Sequence, residues 1–182
     1  MDLDEPVDRL LPELAGRRVL RRPDGPLEDT VPAQRPILVR DLLTFTWGLG
    51  IQGAMFMAAE PWPLFTATLE RQLATFGPPQ PAVMPDPDTW LARLGELPLL
   101  AQPGERWLYQ TGSQVLGVLA ARAAAAPFED VMRERLLDPL GMRDTAFHAV
   151  DVGRLATAYE SKDGRLEVSD PSEGQWSHPS PR

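Results

Sequence analysis

The sequence contains no cysteine, which excludes disulfides, thiolate metal sites and cysteine nucleophiles. Histidine occurs only at His148 and His178, so a metal centre built on histidines is out of reach without many carboxylates. Lysine occurs once, at Lys162, and every other basic side chain is arginine. Positive charge is not in excess: 18 Lys+Arg stand against 26 Asp+Glu, a formal net charge of −8. A chain of that sign has no surplus cations with which to displace the counterions of a nucleic acid. No apolar run approaches the roughly 18 residues that span a bilayer. The opening Met1–Asp8 lacks both a basic region and an apolar stretch. No signal peptide is visible, and the expectation for the chain as written is a cytoplasmic protein without a membrane span.

What is present is ordinary globular material. Of 182 residues, 43% are hydrophobic and 24% charged, a balance that can bury a core. The 20 prolines, about twice average usage, divide the chain into short segments. Val7–Leu14 has the spacing of a short amphipathic helix, with Gly16 as its stop. Arg17–Arg35, with three prolines and Gly25, reads as an irregular surface loop. Pro36–Thr46 reads as an extended lead followed by a helix on Val39, Leu42, Leu43 and Thr46. Helices are further expected over Leu64–Phe76, over Thr89–Leu97 with Asp88 as N-cap, over Ser113–Ala125, and after Pro127. The intervening Gly77–Pro87 and Leu99–Tyr109 read as loops. Thr145–Val150 looks β-like. Ala156–Glu160 and Arg165–Val168 flank Asp163-Gly164, a strong hairpin signal. The last residues, from Asp170, show no periodicity and look frayed.

Several motifs carry chemistry elsewhere and need weighing. Gly48-Leu49-Gly50-Ile51-Gln52-Gly53 fits the dinucleotide fingerprint, but that fingerprint requires a strand before it and a helix after it. A helix is expected before it instead, so a flexible turn is the better reading. Gly112-Ser113 ahead of a helix resembles a nucleophile elbow, yet Thr111 and Val115 break the pattern. A helix cap accounts for Ser113. The acidic pairs sit at helix starts or in polar loops, where solvation explains them. His148, without a nameable Ser or Asp partner, reads as a satisfied structural histidine.

Pro98–Gly117 taken with Val131–Phe147 is more informative. Gln102-Pro103-Gly104-Glu105-Arg106-Trp107-Leu108-Tyr109, then Gly112-Ser113-Gln114-Val115-Leu116-Gly117, then Asp138-Pro139-Leu140-Gly141-Met142-Arg143-Asp144-Thr145 resemble the serine β-lactamase-related hydrolases: class C β-lactamases, D-Ala-D-Ala carboxypeptidases and esterase-like proteins. Pro36–Gly50 is similar to that family's I-T-[VL]-R-x-L-L-T-H-T-S-G segment, with Phe45 and Trp47 where the family has His and Ser. The resemblance covers most of Met1–Asp170.

It implies an α+β protein: mostly the helical subdomain of the β-lactamase/transpeptidase-like fold, over about 36–144, with β-like structure over 145–169, a short C-terminal β-hairpin and a tail over 170–182. The whole would be a single partial domain whose flanking sheet is largely missing. It implies hydrolysis of an amide or ester through an acyl-enzyme, no cofactor and no metal. The partner would be a small-molecule ester, lactam or peptide. Tyr109-Gln110-Thr111 matches the family's Y-x-N or Y-x-S/T motif. The resemblance therefore makes Tyr109 the general base in the full-length context and puts Thr111 on the substrate.

The S-x-x-K motif has no counterpart, because the residue three before the only lysine is Tyr159. K-T-G and H-x-G are absent too. A tyrosine titrates near 10, and holding it as phenolate at neutral pH takes about 4 kcal/mol, which neighbouring lysines are thought to supply in this family. The expectation is a partial hydrolase, inactive alone, whose S-x-x-K helix and remaining strands lie beyond the two ends. A non-catalytic binding or interaction domain of the same fold is the alternative.

Overall fold

The computed structural model describes residues 1–74, 80–149 and 151–179. Its core is one cluster in which Trp47, Leu11, Leu14, Ile37, Leu42, Leu64, Leu91, Leu94, Leu99, Leu108 and Leu119 are almost wholly removed from water. The helices are arranged around it. α1 (Val39–Leu43) buries Val39 and Leu42, and α5 (Thr111–Ala124) buries Gly112, Val115, Val118 and Leu119. The two approach closely because position 112 is glycine: a Cβ there would stand 2.8 Å from the Leu42 carbonyl oxygen. α2 (Ala54–Met57) and α3 (Pro63–Glu70) follow the glycine-rich segment. α4 (Pro87–Gly95) adds Trp90, Leu91 and Leu94 to the core. α6 (Phe128–Met132) continues into a π-helical turn over Arg133–Leu137.

Two antiparallel hairpins complete the structure. β1 (Arg18–Leu20) pairs with β2 (Thr30–Pro32), and β3 (Ala158–Lys162) pairs with β4 (Arg165–Asp170). The second hairpin turns through Asp163 and Gly164, both at positive φ, as an Asp-Gly turn of this kind requires.

Several sequence expectations change. Val7–Leu14 is two 3-10 turns, Val7–Arg9 and Pro12–Leu14, because Pro12 has no N–H to continue a helix. Arg17–Arg35 is not all loop: it carries the β1–β2 hairpin, with Val19 and Leu20 buried. Leu99 extends that hairpin by a parallel bridge to Val19, and its amide and carbonyl bond to Arg18 and Leu20. Arg17 is itself buried. Its guanidinium donates to the carbonyls of Leu94, Gly95 and Leu97 at the end of α4. A cation there satisfies the Gly95 and Leu97 carbonyls, adds to the Leu94 carbonyl and complements the negative end of the helix. Burial pulls the Arg17 pKa down to about 10.

α3 ends at Glu70, so Leu73 is buried beyond it, while the Phe76 expectation lies outside the described residues. α4 starts two residues earlier than its pattern suggests. Asp86, not Asp88, is the N-cap, accepting from the Thr89 amide at 2.9 Å, and Pro87 takes the first helical position. From Thr145 to Ala149 the chain makes turns and no strand. Near the C-terminus, Gln175–Ser177 forms a 3-10 turn, and the Trp176 carbonyl accepts from the Ala149 amide.

Candidate functional site

The segment after α1 is laid against the segment before α5, and that pairing builds the site. Asp41 fixes the start of α1. Its carboxylate accepts from the Leu38 amide at 2.9 Å and from both terminal nitrogens of Arg35 at 2.6 and 2.9 Å. Phe45, at φ +58, turns the chain out of the helix. From there the carbonyls of this segment accept from amides spread over Leu100–Leu108. Phe45 accepts from the Leu108 amide at 2.8 Å, Thr46 from Gly104 at 2.7 Å, and Gly48 from Leu100 at 2.7 Å. Ile51 and Tyr109 close the pairing by exchanging both bonds, at 3.0 and 2.9 Å.

The G-x-G-x-x-G segment is thus a pinned strip of backbone rather than a flexible turn. A Cβ on Gly48 would lie 2.5 Å from the Ala101 carbonyl oxygen, and its φ is +105. A four-residue helix follows it, too short to present the helix end a pyrophosphate needs.

Tyr109, Gln110 and Thr111 stand at the end of this pairing. The Tyr109 side chain is 56% exposed. Its ring lies 5.9 Å from that of Trp107, which in turn lies 6.1 Å from Phe45. Gln110 has φ +78 and ψ −59, and the Thr111 amide donates back to the Tyr109 carbonyl at 3.1 Å. That is the strained form of the three-residue turn. Thr111, half-buried, opens α5. Its hydroxyl donates to the Leu49 carbonyl at 2.6 Å and accepts from the Trp47 indole N–H at 3.2 Å. Trp47 therefore does two things at once: its rings fill the core and its N–H anchors the residue two places after Tyr109. Ser113 does not cap the helix from outside. It lies in the first turn of α5 and donates to the Gln110 carbonyl at 2.9 Å.

Other groups singled out in the sequence lie elsewhere. Lys162 is on β3, paired with Glu160 at 3.6 Å and Glu167 at 3.7 Å on its own hairpin. His148 is not satisfied at both nitrogens: its Nδ1 is buried and has no partner among the described residues. No cluster of three or more possible metal ligands occurs among the described residues, and no helix is long and apolar enough to cross a membrane. Arg122 braces α5 from outside the site. It donates to both Glu13 oxygens at 2.9 and 2.7 Å and to Asp88 at 2.7 Å. That guanidinium holds the Glu13 carboxyl below its ordinary value, while the carboxylates raise Arg122.

A cavity of about 290 Å³ opens beside the turn, walled by Leu49, Ile51, Met55, Leu64 and Met84 and floored by Gln110, Thr111 and Gln114. Nothing in the sequence marks it, because its lining comes from six separated stretches. The Gln110 turn is equally silent, since glutamine has no preference for positive φ. Trp47 was visible as a departure from the I-T-[VL]-R-x-L-L-T-H-T-S-G pattern, but its bond to Thr111 was not.

Comparison with known proteins bears on this geometry. The family model described as Beta-lactamase matches residues 1–179. Protein Rv1367c of Mycobacterium tuberculosis is 39% identical over 163 residues, which cover 86% of this chain and 36% of that protein. Esterase EstB of Burkholderia gladioli is 32% identical over 168 residues, 91% of this chain and 36% of the esterase. The solved structure of EstCE1, a hydrolase with promiscuous acyltransferase activity, superposes with a TM-score of 0.67 at 28% identity, covering 94% of this chain and 39% of that one. The chain thus spans little more than a third of the length of the proteins it matches.

Proposed function

Because the chain belongs to the beta-lactamase family, we propose that it is part of a serine esterase or acyltransferase that works through an acyl-enzyme, and that these 182 residues do no chemistry alone. The observation that carries this is the Tyr109–Thr111 turn. A solvent-facing phenol is held by two backbone bonds to Ile51 and followed by a strained residue that fixes its direction. Strain of this kind persists only where the surrounding structure enforces it, and it gathers at functional sites.

Tyr109 is the general base on this reading and Thr111 lies on the substrate side. The nucleophilic serine and its lysine are supplied by sequence other than this stretch, as are the strands that flank a helical subdomain of about 36–144. In the acylation step Tyr109, as general base, takes the serine proton and the serine oxygen bonds to the carbonyl carbon. The leaving alkoxide or amine then departs with that proton. Water or an acceptor alcohol afterwards takes the acyl group. Ester chemistry is preferred over lactam or peptide chemistry because relatives of this chain include an esterase and a hydrolase with acyltransferase activity.

A fluorophosphonate that labels activated serines tests the reading. The product of the complete reading frame is labelled and hydrolyses 4-nitrophenyl butyrate. Replacing Tyr109 by Phe lowers that rate about 100-fold or more, the range of a lost general base. The 182-residue chain is not labelled. Labelling of the short chain, or a Tyr109→Phe variant of the complete protein with unchanged rate, refutes it.

A further inference from the structure

We propose that the cavity beside the Tyr109–Thr111 turn is a subsite for a short, uncharged aliphatic group of the substrate, and that it turns away carboxylate-bearing groups. The inference rests on the reading of the site as one for esters, and it names the part of the ester this stretch selects.

The walls carry the argument. Leu49, Ile51, Met55, Leu64, Leu73 and Met84 form the apolar lining, and none of the described residues around the cavity is Asp, Glu, Lys, Arg or His. The chain is rich in arginine, yet no guanidinium of the described residues lines this space. A carboxylate entering it would lose its water and meet no counter-charge, which is strongly unfavourable. The polar side chains at the cavity are neutral glutamines and threonines, and the threonine hydroxyls are committed. The Thr111 hydroxyl donates to the Leu49 carbonyl, and the Thr68 hydroxyl, also on the wall, donates to the Leu64 carbonyl at 2.7 Å. The positive end of α5 adjoins the cavity, but its Thr111 and Ser113 amides are engaged by the Tyr109 and Gln110 carbonyls. At about 290 Å³, the space sits at the small end of ligand cavities, which run from roughly 300 to 1,000 Å³. A chain of a few carbons fits that size. Met55 and Met84 lend the wall adaptability, since methionine side chains re-pack around irregular apolar shapes.

The two methionines also report on it. With the methionine methyls labelled with carbon-13, the 182-residue chain is titrated with methyl hexanoate and, separately, with hexanoate anion at pH 7.5. Saturable shifts of the Met55 and Met84 methyls are expected with the ester. The signals of Met57, 86% exposed, and Met142, 41% exposed, stay in place. The anion needs at least a tenfold higher concentration for the same shift. Ala74→Phe fills the cavity and abolishes the response. Should that variant lose its native circular dichroism, Met84→Trp serves the same purpose with Met55 as reporter.

Equal shifts from the anion, equal shifts at the exposed methionines, or no shift with the ester overturn the inference. Its fate is separable from that of the proposed function. Ester binding in a chain whose complete protein resists fluorophosphonate leaves the subsite and removes the chemistry. Labelling of the complete protein without ester binding here does the reverse.

Discussion

Replacing Gln110 by glycine is expected to stabilise the chain while harming the site it shapes. Gln110 sits at φ +78 and ψ −59, a conformation that side-chain-bearing residues adopt only under constraint, at about 1–3 kcal/mol. Glycine reaches it freely but enlarges the unfolded ensemble, which costs about 0.4–1 kcal/mol. The difference is a net gain of up to about 2 kcal/mol. The Gln110 side chain is exposed, so its loss removes little packing. Urea unfolding followed by far-ultraviolet circular dichroism reads the change as a higher midpoint at unchanged slope. Gln110→Ala is the control: it keeps a Cβ, therefore keeps the strain, and stays near the parent. In the complete protein the glycine variant frees the Tyr109–Thr111 turn, so kcat for ester hydrolysis falls although stability rises. A glycine variant less stable than parent, or an alanine variant equally stabilised, would show that position 110 stores no strain.

Two other perturbations follow from the packing. Arg17→Met leaves the Leu94, Gly95 and Leu97 carbonyls without their cation and is expected to lower stability by about 2–3 kcal/mol in the same urea assay. Gly48→Ala forces a Cβ to within 2.5 Å of the Ala101 carbonyl at φ +105 and is expected to cost more than about 2 kcal/mol. Differential scanning calorimetry would register it as a clear drop in Tm.

Acid acts through Glu13. The Arg122 guanidinium beside it lowers its folded pKa below the unfolded value, so the folded state holds fewer protons there. The stability it contributes is complete above the ordinary carboxylate range near 4.3. It fades as pH falls through the lower folded value. Glu13→Gln therefore reduces the loss of urea midpoint between pH 6 and pH 3, and an unchanged loss would contradict the assignment.

How much of this was legible in the chain differs by element. α5 was readable to within two residues at its start and one at its end, because Val115, Leu116, Leu119 and Ala120 recur at helical spacing and no proline intervenes. The β3–β4 hairpin was readable from two residues, Asp163 and Gly164, whose turn chemistry is local. The β1–β2 hairpin was not. Its strands are three residues long, and Leu99, nearly eighty positions away, completes their hydrogen bonding. α4 starts two residues ahead of its sequence pattern because Asp86 and Asp88 are equivalent in sequence, and only the fold shows which carboxylate meets the Thr89 amide.

For the site, the sequence by itself determined the family likeness, the Tyr109-Gln110-Thr111 triplet on which the proposal rests, and the solitary lysine that leaves S-x-x-K without a home. These are facts of residue type and near spacing, written along the chain. Tertiary structure alone decided that Gln110 is strained, that Trp47 anchors Thr111, that Arg17 ends α4, and that an uncharged cavity adjoins the turn. Each of those depends on segments tens of residues apart arriving within hydrogen-bond or van der Waals reach. Such short-range forces leave no periodic mark in the sequence that produces them.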